Sequence, residues 1–343
     1  MTDAMTRALL RWYDQNKRGL PWRGAPDAYR TWVSEIMLQQ TRAEAVKAYF
    51  TRFLAALPTV DDLAAVDDDY LMKLWEGLGY YSRARNLKKA AQVIVLEHGG
   101  VIPRDPEELL KLPGIGLYTA GAIASIAYGV PVPAVDGNVL RVCARLAADP
   151  ADVALDQTRR AVAARLLRVL PQGRPGDFNQ AMMELGACVC LPNGLPKCAK
   201  PPSAEGGQGG CPLKEYCLAH AQGRTADFPV KSPQKPRRIE QRELLILRFG
   251  DRLALRRRPP KGLLAGLWEL PEAFELPPGL VISRELAGQA VHIFTHIEWH
   301  MAAERVVLRE ALEGHGLVWV TREELERGYA LPSAFAGFRG EMF

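Results

Sequence analysis

A glutamate inside an apolar segment is the first residue in this chain that could do acid chemistry. Glu35 is flanked by Trp32 and Val33 and by the apolar run 36–38, in a stretch whose spacing predicts a helix. Burial among such side chains disfavours the charged form of a carboxyl group, so its pKa rises and it can donate a proton near neutral pH. The alternative is an ordinary solvated carboxylate on a helix surface.

Asp136 is the second candidate carboxylate. It begins the sequence Asp-Gly-Asn-Val, directly before a predicted helix over residues 139–146. An aspartate in this position caps a helix by accepting hydrogen bonds from its first N–H groups. A fixed carboxylate also stabilises a positively charged sugar carbon, as in glycosidases that use two carboxylates. The two roles are compatible, and the sequence leaves both open.

Two closely spaced glycines lie in the sequence Leu-Pro-Gly-Ile-Gly at 112–116, between predicted helices over Pro106–Lys111 and Leu117–Tyr128. Glycine permits positive φ, so Gly114 and Gly116 can bring unshielded N–H groups to the start of the second helix, where a phosphate binds favourably. This pattern is typical of a helix-hairpin-helix anchor for a nucleic-acid backbone. The alternative is an ordinary turn between two helices.

The cysteines are strongly clustered. Of the 6 in the chain, all but Cys143 lie within residues 188–217. The first 18 residues carry charges at short intervals and lack the apolar core of a signal peptide, so we expect no export. Clustered cysteines in such a protein indicate metal ligation rather than a disulfide framework.

The composition is that of a folded globular protein. A length of 343 residues predicts two domains. Hydrophobic residues make up 48% and charged residues 24%, which excludes a disordered or fibrous chain. The net charge of +5 suits a polyanionic partner. The most apolar stretch, 119–135, is interrupted by prolines and is shorter than a membrane span, so we expect a cytoplasmic protein outside the membrane.

The elements that position these groups change along the chain. Up to about residue 187, apolar residues recur every three or four positions, which predicts helices. A basic, proline-rich stretch cannot be helical and predicts a linker over 225–240. Short β-like runs at 244–248, 253–255, 291–297 and 306–308 follow, together with helical stretches at 282–286 and 322–327. We therefore expect a helical domain over 1–224, which includes the cysteine cluster 188–217, and an α+β domain over 241–343.

Four motifs occur in the order and at the spacing of one known family. They are Ser-Glu-Ile-Met-Leu-Gln-Gln-Thr at 34–41, Gly-Leu-Gly-Tyr-Tyr at 77–81, Leu-Pro-Gly-Ile-Gly-Leu-Tyr-Thr-Ala at 112–120 and Val-Asp-Gly-Asn-Val at 135–139. Together they closely resemble the adenine DNA glycosylases of the MutY family, and the resemblance spans nearly the whole chain. It implies a mainly α helix-hairpin-helix glycosylase domain with an iron–sulfur loop, followed by an α+β Nudix-like domain.

The resemblance implies catalytic roles for four residues. Glu35 falls on the position of the acid that protonates adenine at N7. Asp136 falls on that of the aspartate that stabilises the oxocarbenium ion or forms a covalent intermediate, and Asn138 helps to place groups around the sugar. Tyr118 stands where the related bifunctional endonuclease III enzymes carry a lysine that forms a Schiff base. Because a phenol cannot form that imine, we expect a monofunctional glycosylase that leaves an abasic site.

The resemblance also implies contacts with double-stranded DNA, from which the adenosine must be extruded. Gln40 and Tyr80 occupy positions whose side chains insert beside the orphaned base. Arg23, Leu38 and Gln180 resemble the adenine pocket and its surroundings. Without the resemblance, each of these residues would be interpreted as part of the core or the surface.

The cysteines resemble the loop that holds a [4Fe-4S] cluster in this family. The corresponding residues are Cys190, Cys198, Cys211 and Cys217, with gaps of seven, twelve and five residues. The first gap is one residue longer and the second ten residues longer than in the family. We still expect the cluster, because residues 200–210 are rich in Pro and Gly, as in an exposed insertion. A four-cysteine zinc site or a loop without a cluster is the alternative, and Cys188 could replace Cys190.

The C-terminal part resembles the Nudix-like domain with which this family recognises 8-oxoguanine, through Gly-Leu-Trp-Glu-Leu-Pro at 266–271. A Nudix hydrolase needs a pair of glutamates to hold Mg²⁺. Here Arg-Glu-Leu at 284–286 is followed by Ala-Gly-Gln, so we expect a domain that reads and does not hydrolyse. Phe294, Thr295 and His296 match the family's Phe-Ser-His recognition loop, with threonine in place of serine.

We therefore predict a DNA repair glycosylase that removes adenine mispaired with 8-oxoguanine or guanine. We expect a monomer in a bacterial-type cytoplasm, associated with the nucleoid. A bifunctional glycosylase-lyase for oxidised pyrimidines is one alternative, which Tyr118 disfavours. A non-catalytic reader of damaged DNA is another, which the presence of both Glu35 and Asp136 disfavours.

Overall fold

The computed structural model describes residues 2–24, 27–192, 194–199, 210–233, 236–277 and 279–343. The chain divides into two compact units. The first comprises Met1–Ala64 and Asn86–Pro233, and the second comprises Ala65–Arg85 and Gln234–Phe343. The second unit thus includes a segment, Ala65–Arg85, that the sequence-based division places in the helical domain.

The described residues before the linker form α-helices, with two 3₁₀ turns at Lys197–Ala199 and Lys214–Tyr216. The α-helices are α1 (Asp3–Asn16), α2 (Ala28–Leu38), α3 (Ala43–Ala56), α4 (Val60–Ala65), α5 (Asp68–Trp75), α6 (Ser82–His98), α7 (Pro106–Lys111), α8 (Leu117–Tyr128), α9 (Gly137–Ala147), α10 (Asp156–Leu167), α11 (Pro175–Cys188) and α12 (Leu218–Ala221). The predicted helices on either side of residues 112–116 are confirmed as α7 and α8. The helix predicted after Asp136 is α9.

Helix α2 lies in the core of the first unit. Eight of its eleven residues are buried, and it packs against α3 and α8. Trp32, Val33 and Met37 are fully buried. A helix that is apolar around most of its circumference has no solvent-facing side, so Glu35 must project into the protein.

Two close approaches in the first unit require glycine. A Cβ on Gly121 of α8 would lie 2.3 Å from the carbonyl oxygen of Pro133. A Cβ on Gly186 of α11 would lie 2.5 Å from the Cβ of Asn138. Because neither glycine carries a side chain, α8 and α11 lie directly against the segment that contains Asp136.

The C-terminal part of the second unit is built on a mixed sheet. The strands are β1 (Arg238–Phe249), β2 (Arg252–Arg257), β3 (Trp268–Glu269), β4 (Val281–Ile293), β5 (Ile297–Leu308) and β6 (Leu317–Val320). The strand order is β3-β2-β1-β5-β4, and β6 also pairs with β2. β1 and β5 are parallel, and the other pairs are antiparallel. Helix α13 (Arg322–Gly328) and a 3₁₀ helix (Ser333–Glu341) follow the sheet.

One predicted helix of this domain is a strand. Residues 282–286 belong to β4, and the strand predicted over 291–297 spans the end of β4 and the start of β5. β4 pairs with β5 from Val281 opposite Leu308 to Ile293 opposite Glu298. This pairing satisfies the backbone polar groups and overrides the modest helix preference of the local sequence. The helix predicted over 322–327 is confirmed as α13, and so is the overall class of a helical domain followed by an α+β domain.

No helix of the described residues has the length and apolarity that crossing a membrane requires.

Candidate active site

Glu35 lies in α2 with 6% of its surface exposed. Burial raises the pKa of Glu35 to about 7, a hydrogen bond from Tyr118 opposes the rise, and the nearby charge of Asp136 adds to it. The Tyr118 hydroxyl donates this hydrogen bond to Oε2 of Glu35. A carboxyl group with this pKa is protonated in a large fraction of molecules at neutral pH, as a general acid must be.

Asp136 is the N-cap of α9, and both of its carboxylate oxygens are held. Oδ1 accepts a hydrogen bond from the Val139 N–H at 2.8 Å, and Oδ2 accepts one from Nδ2 of Asn138 at 2.7 Å. Burial raises the pKa of Asp136, and these hydrogen bonds act against the rise. Asn138 is held in turn by Nη2 of Arg141, which donates to its Oδ1 at 2.8 Å. The carboxylate therefore has one orientation.

Tyr118 lies in the first turn of α8, directly after the hairpin. Its pKa is raised well above the usual value by burial and by the charges of Glu35 and Asp136. The phenol therefore stays protonated and acts as a donor. Its oxygen also lies 3.6 Å from Sδ of Met183. The structure thus brings Glu35, Tyr118 and Asp136 together, with Asn138 against Asp136.

A buried clamp that the sequence analysis missed lies in the same unit. Glu184 of α11 has a side chain only 1% exposed. Its Oε1 accepts from Nε of Arg18 at 2.6 Å, and its Oε2 accepts from Nη2 of Arg18 and Nη2 of Arg23, each at 2.9 Å. Burial opposes ionisation, but the two arginines outweigh it and lower the pKa of Glu184 to about 2. The sequence signal that could have revealed the clamp is Glu184 itself, a charged residue among the apolar residues of α11.

A cavity of about 470 Å³ opens beside this clamp. Arg18, Arg23 and Gln180 line it, and so does Trp22. Two of the residues assigned to the surroundings of an adenine pocket therefore share one cavity. Leu38 is half-buried at the end of α2 and does not line this cavity.

Gln40 and Tyr80 share an unusual backbone conformation. Gln40 has φ of 62° and Tyr80 has φ of 47°, and both side chains are exposed. Residues other than glycine rarely adopt this left-handed region, and those that do cluster at functional sites. The family resemblance implies that both side chains insert beside the orphaned base, and both residues have this left-handed backbone conformation.

The hairpin presents backbone donors at the start of α8. Gly114 has φ of +78°, and a Cβ there would lie 2.7 Å from the Cβ of Asn86. Gly116 is the N-cap of α8 and supplies no side-chain cap. The first N–H groups of α8 therefore face outward beside an exposed Leu117, in an arrangement that accepts a phosphate.

Four thiols of the cysteine loop lie near one another. Cys198 and Cys211 are hydrogen-bonded to each other, and the charges of Cys190 and Cys198 act on Cys217. Nη1 of Arg145 donates to Sγ of Cys190 at 3.2 Å. Within the described ranges no three or more Cys, His, Asp or Glu side chains converge on a single metal ion. A [4Fe-4S] cluster takes one thiolate per iron, so the number of thiols in this loop meets its requirement.

Cys188 points away from those four thiols. Its Sγ lies 3.6 Å from Oε1 of Glu184, in the buried clamp. Cys190, two residues later, accepts a hydrogen bond from Arg145 instead, and its charge acts on Cys211. This separation favours Cys190 over Cys188 as a ligand. The Pro- and Gly-rich insertion over 200–209 lies outside the described residues.

The segment between β4 and β5 carries the expected recognition residues. Phe294 is half-buried, with its ring 4.9 Å from that of Trp299 and 4.6 Å from that of His292. Thr295 and His296 are exposed. The hydroxyl of Thr295 is hydrogen-bonded to that of Tyr80 at 3.2 Å, within the second unit. The segment thus exposes the polar side chains of Thr295 and His296, next to a ring cluster formed by Phe294, His292 and Trp299.

Two family models and several solved structures match these features. The model described as HhH-GPD superfamily base excision DNA repair protein matches residues 33–172, and the NUDIX domain model matches residues 243–338. A thermostable thymine-DNA glycosylase is similar over 63% of this chain and 95% of its own, with a TM-score of 0.55 and 27% identity. A non-covalent endonuclease III–DNA complex is similar over 66% and 99%, with a TM-score of 0.53 and 25% identity. These matches define the class as base-excision DNA glycosylases.

Curated relatives narrow the class. The adenine DNA glycosylase of Homo sapiens is 36% identical over 98% of this chain and 74% of its own length. That of Schizosaccharomyces pombe is 31% identical over 93% of this chain and 85% of its own. The chain therefore belongs to the adenine DNA glycosylase family. The family resemblance found in the motifs is confirmed, and with it the prediction of a monofunctional DNA glycosylase of base excision repair.

Proposed function

We propose that the chain hydrolyses the N-glycosidic bond of adenine mispaired with 8-oxoguanine or guanine in double-stranded DNA. The observation that carries this proposal is the hydrogen bond between the buried Glu35 and the half-buried Tyr118, beside a fixed Asp136. Release of a purine needs a proton on the base and stabilisation of the sugar cation. Glu35 and Asp136 are suited to these two tasks by their different surroundings.

Glu35 donates its proton to N7 of adenine, and the base departs with the electrons of the bond between C1′ and N9. The Glu35 carboxylate that remains keeps the hydrogen bond from Tyr118, which stabilises its charge in a buried site. Asp136 stabilises the oxocarbenium ion or bonds to C1′. Water then attacks C1′ and returns a proton to Glu35, which leaves an abasic site and resets the acid.

Other residues in the proposal bind the DNA. Arg23, Leu38 and Gln180 surround the extruded adenine, and Glu184 fixes Arg18 and Arg23. Their charged groups are held by one another before the base arrives, so little reorganisation is needed on binding. The hairpin at 112–116 binds a backbone phosphate. Gln40 and Tyr80 insert beside the orphaned base, and the segment 294–296 reads 8-oxoguanine.

Cys190, Cys198, Cys211 and Cys217 are the residues that would hold a [4Fe-4S] cluster. When bound, the cluster supplies four metal–thiolate bonds that cross-link the loop over 190–217. The backbone carbonyl of Cys190 accepts from Nε of Arg141 at 2.7 Å, and Arg141 also holds Asn138. The loop thereby supports the residues beside Asp136.

A gel assay of the full-length protein on a duplex with one A:8-oxoguanine pair tests the proposal. We expect strand cleavage only after alkali treatment, because a monofunctional glycosylase leaves an abasic site. Cleavage without alkali would indicate a glycosylase-lyase. A shifted but intact strand would indicate a reader without activity, and either result would contradict the proposal.

A further inference from the structure

The second unit joins the Ala65–Arg85 segment to the C-terminal domain by polar contacts of two kinds. One kind is exposed: Nη2 of Arg257 lies 2.7 Å from Oδ1 of Asp69, with side chains 49% and 37% exposed. The other kind is largely buried and centres on Lys73 and Glu76, whose side chains are 19% and 16% exposed. Exposed ion pairs contribute little, whereas largely buried ones are costly to break.

Lys73 bonds to the end of α13. Its Nζ donates to the carbonyl oxygens of Leu325 at 3.0 Å and Tyr329 at 3.4 Å. A cation is favoured at a helix C-terminus, where carbonyl groups lack partners within the helix. Nζ also lies 2.7 Å from Oε2 of Glu76. Lys73 therefore connects α13 to the end of α5.

Glu76 continues the network on its other oxygen. Oε1 accepts from the backbone N–H of Leu331 at 3.3 Å and from Nη2 of Arg339 at 3.0 Å. Opposite charges thus alternate from Lys73 through Glu76 to Arg339. Both oxygens of Glu76 are engaged by groups that hold it in one position.

A short, tightly held turn connects Glu76 to Tyr80. Nε1 of Trp75 donates to the carbonyl oxygen of Gly79 at 3.1 Å, and Nη2 of Arg83 donates to those of Leu78 and Gly79, each at 3.1 Å. Gly79 itself has φ of +69°. Because this turn has few free torsions, the position of Glu76 fixes that of Tyr80, whose hydroxyl meets Thr295.

We propose that Lys73 and Glu76 are positioning residues for discrimination of the base opposite adenine. They hold the C-terminal domain against the Ala65–Arg85 segment, so that Tyr80 and Thr295 face that base together. The inference rests on the proposed function and deepens it. The exposed pair of Asp69 and Arg257 lies on the same segment and serves as the matched control.

The test compares full-length Glu76→Ala, Lys73→Met and Asp69→Asn proteins with wild type. Single-turnover adenine release is measured on A:8-oxoguanine and A:G duplexes. We expect the first two variants to lower the ratio of the two rates on the order of tenfold, through slower release opposite 8-oxoguanine alone. Asp69→Asn keeps the wild-type ratio. Glu76→Gln, which retains an acceptor for the Leu331 N–H, restores part of it.

A second readout separates positioning from folding. A 2-aminopurine placed beside 8-oxoguanine reports unstacking when a side chain is inserted. We expect a smaller fluorescence change for Glu76→Ala than for wild type, at equal DNA occupancy. If Glu76→Ala does not fold, Arg339→Gln removes one partner of Glu76 from an exposed position, and we expect the same direction of change.

Three results would overturn the inference: an unchanged ratio in the folded variants, equal loss on both duplexes, or an unchanged 2-aminopurine signal. Failure of the proposed function is distinguishable, since wild type itself would then release no adenine from either duplex. In that case the 2-aminopurine signal still decides whether Glu76 positions Tyr80.

Discussion

Glu35 owes its raised pKa to burial in α2, against the hydrogen bond from Tyr118, which lowers it. The helix is buried on most sides, and the carboxyl group has few polar partners to stabilise its charge. The same burial penalises the fold, because the unfolded chain ionises Glu35 at its usual pKa of 4.5. The stability that the neutral form contributes is present below pH 4.5 and is lost as the pH rises through about 7.

Replacing Glu35 with glutamine should therefore lower the activity strongly and increase the stability of the fold. We expect adenine release to fall by a factor of about 10² to 10⁴, the usual contribution of a general acid, while DNA binding is kept. Each pKa unit corresponds to about 1.4 kcal/mol, so the gain in the free energy of unfolding at pH 8 should be on the order of 3 kcal/mol. Single-turnover assays and urea denaturation at pH 5 and pH 8 measure the two effects. A wild-type rate in this variant would remove Glu35 from the mechanism.

The wild-type rate should also depend on pH in one direction. Because Glu35 acts in its protonated form, kcat/KM should fall as the pH rises through about 7. A pH–rate profile between pH 6 and pH 9, with Asp69→Asn as a control, measures this. A rate that rises with pH over this range would mean that Glu35 acts as a base.

In the proposed reaction, the absence of an amine at Tyr118 makes the enzyme monofunctional. We expect Tyr118→Lys to form a covalent complex with A:8-oxoguanine DNA that borohydride traps, since burial keeps part of the amine neutral and therefore nucleophilic. Trapping followed by denaturing electrophoresis measures it, with Tyr118→Phe as the control that lacks an amine. Strong trapping by wild type that survives in Tyr118→Phe would identify another lysine as the nucleophile.

Helix α11 connects the cavity beside Arg18 and Arg23 to the cysteine loop. Glu184 and Cys188 lie one turn apart near its C-terminal end, and Cys190 follows directly. Nine of its fourteen residues are buried, so its position is set by packing against the rest of the first unit. Changes in the cysteine loop should therefore shift the residues that line the cavity beside Arg18 and Arg23.

Removing one proposed cluster ligand tests the loop. We expect wild type to be coloured and to contain about four irons per chain. Cys198→Ser should lose iron and melt at a lower temperature, because the loop is no longer cross-linked. Cys143→Ser is the control, since that thiol is buried in α9 and is not one of the four proposed ligands. Zinc in place of iron would reject the cluster and keep a four-cysteine site.

The segment Ala65–Arg85 is shared between the helical part of the sequence and the second compact unit. Ala65–Arg85 interrupts the first unit in sequence and belongs to the second by its contacts. The linker therefore separates the two parts of the sequence, but it does not separate the two compact units, because Ala65–Arg85 precedes it and belongs to the second unit. Removal of the C-terminal domain would leave Lys73 and Glu76 without the carbonyl, amide and guanidinium groups that they bind.

Truncation after Pro233 should then have two effects. We expect the shortened chain to release adenine, since Glu35 and Asp136 precede the cut, but with a preference for 8-oxoguanine over guanine reduced on the order of tenfold. We also expect a lower melting temperature than the full chain. Single-turnover rates on both duplexes and calorimetry measure these effects. Equal loss on both duplexes would make the C-terminal domain a stabilising element and not a reader.

Features that depend on neighbouring residues could be predicted from the amino-acid sequence. The caps and lengths of α7, α8 and α9 follow from residues within one helical turn, and the motifs locate Glu35, Tyr118 and Asp136. The tertiary structure alone decided three others: the clamp of Arg18 on Glu184, separated by 166 residues, the strand β4 in place of a helix, and the membership of Ala65–Arg85 in the second unit. The first and the third join groups far apart in the chain, and the second depends on pairing with the next strand. Local propensity does not encode such pairings, because their stability arises only when both partners are brought together by the folded core.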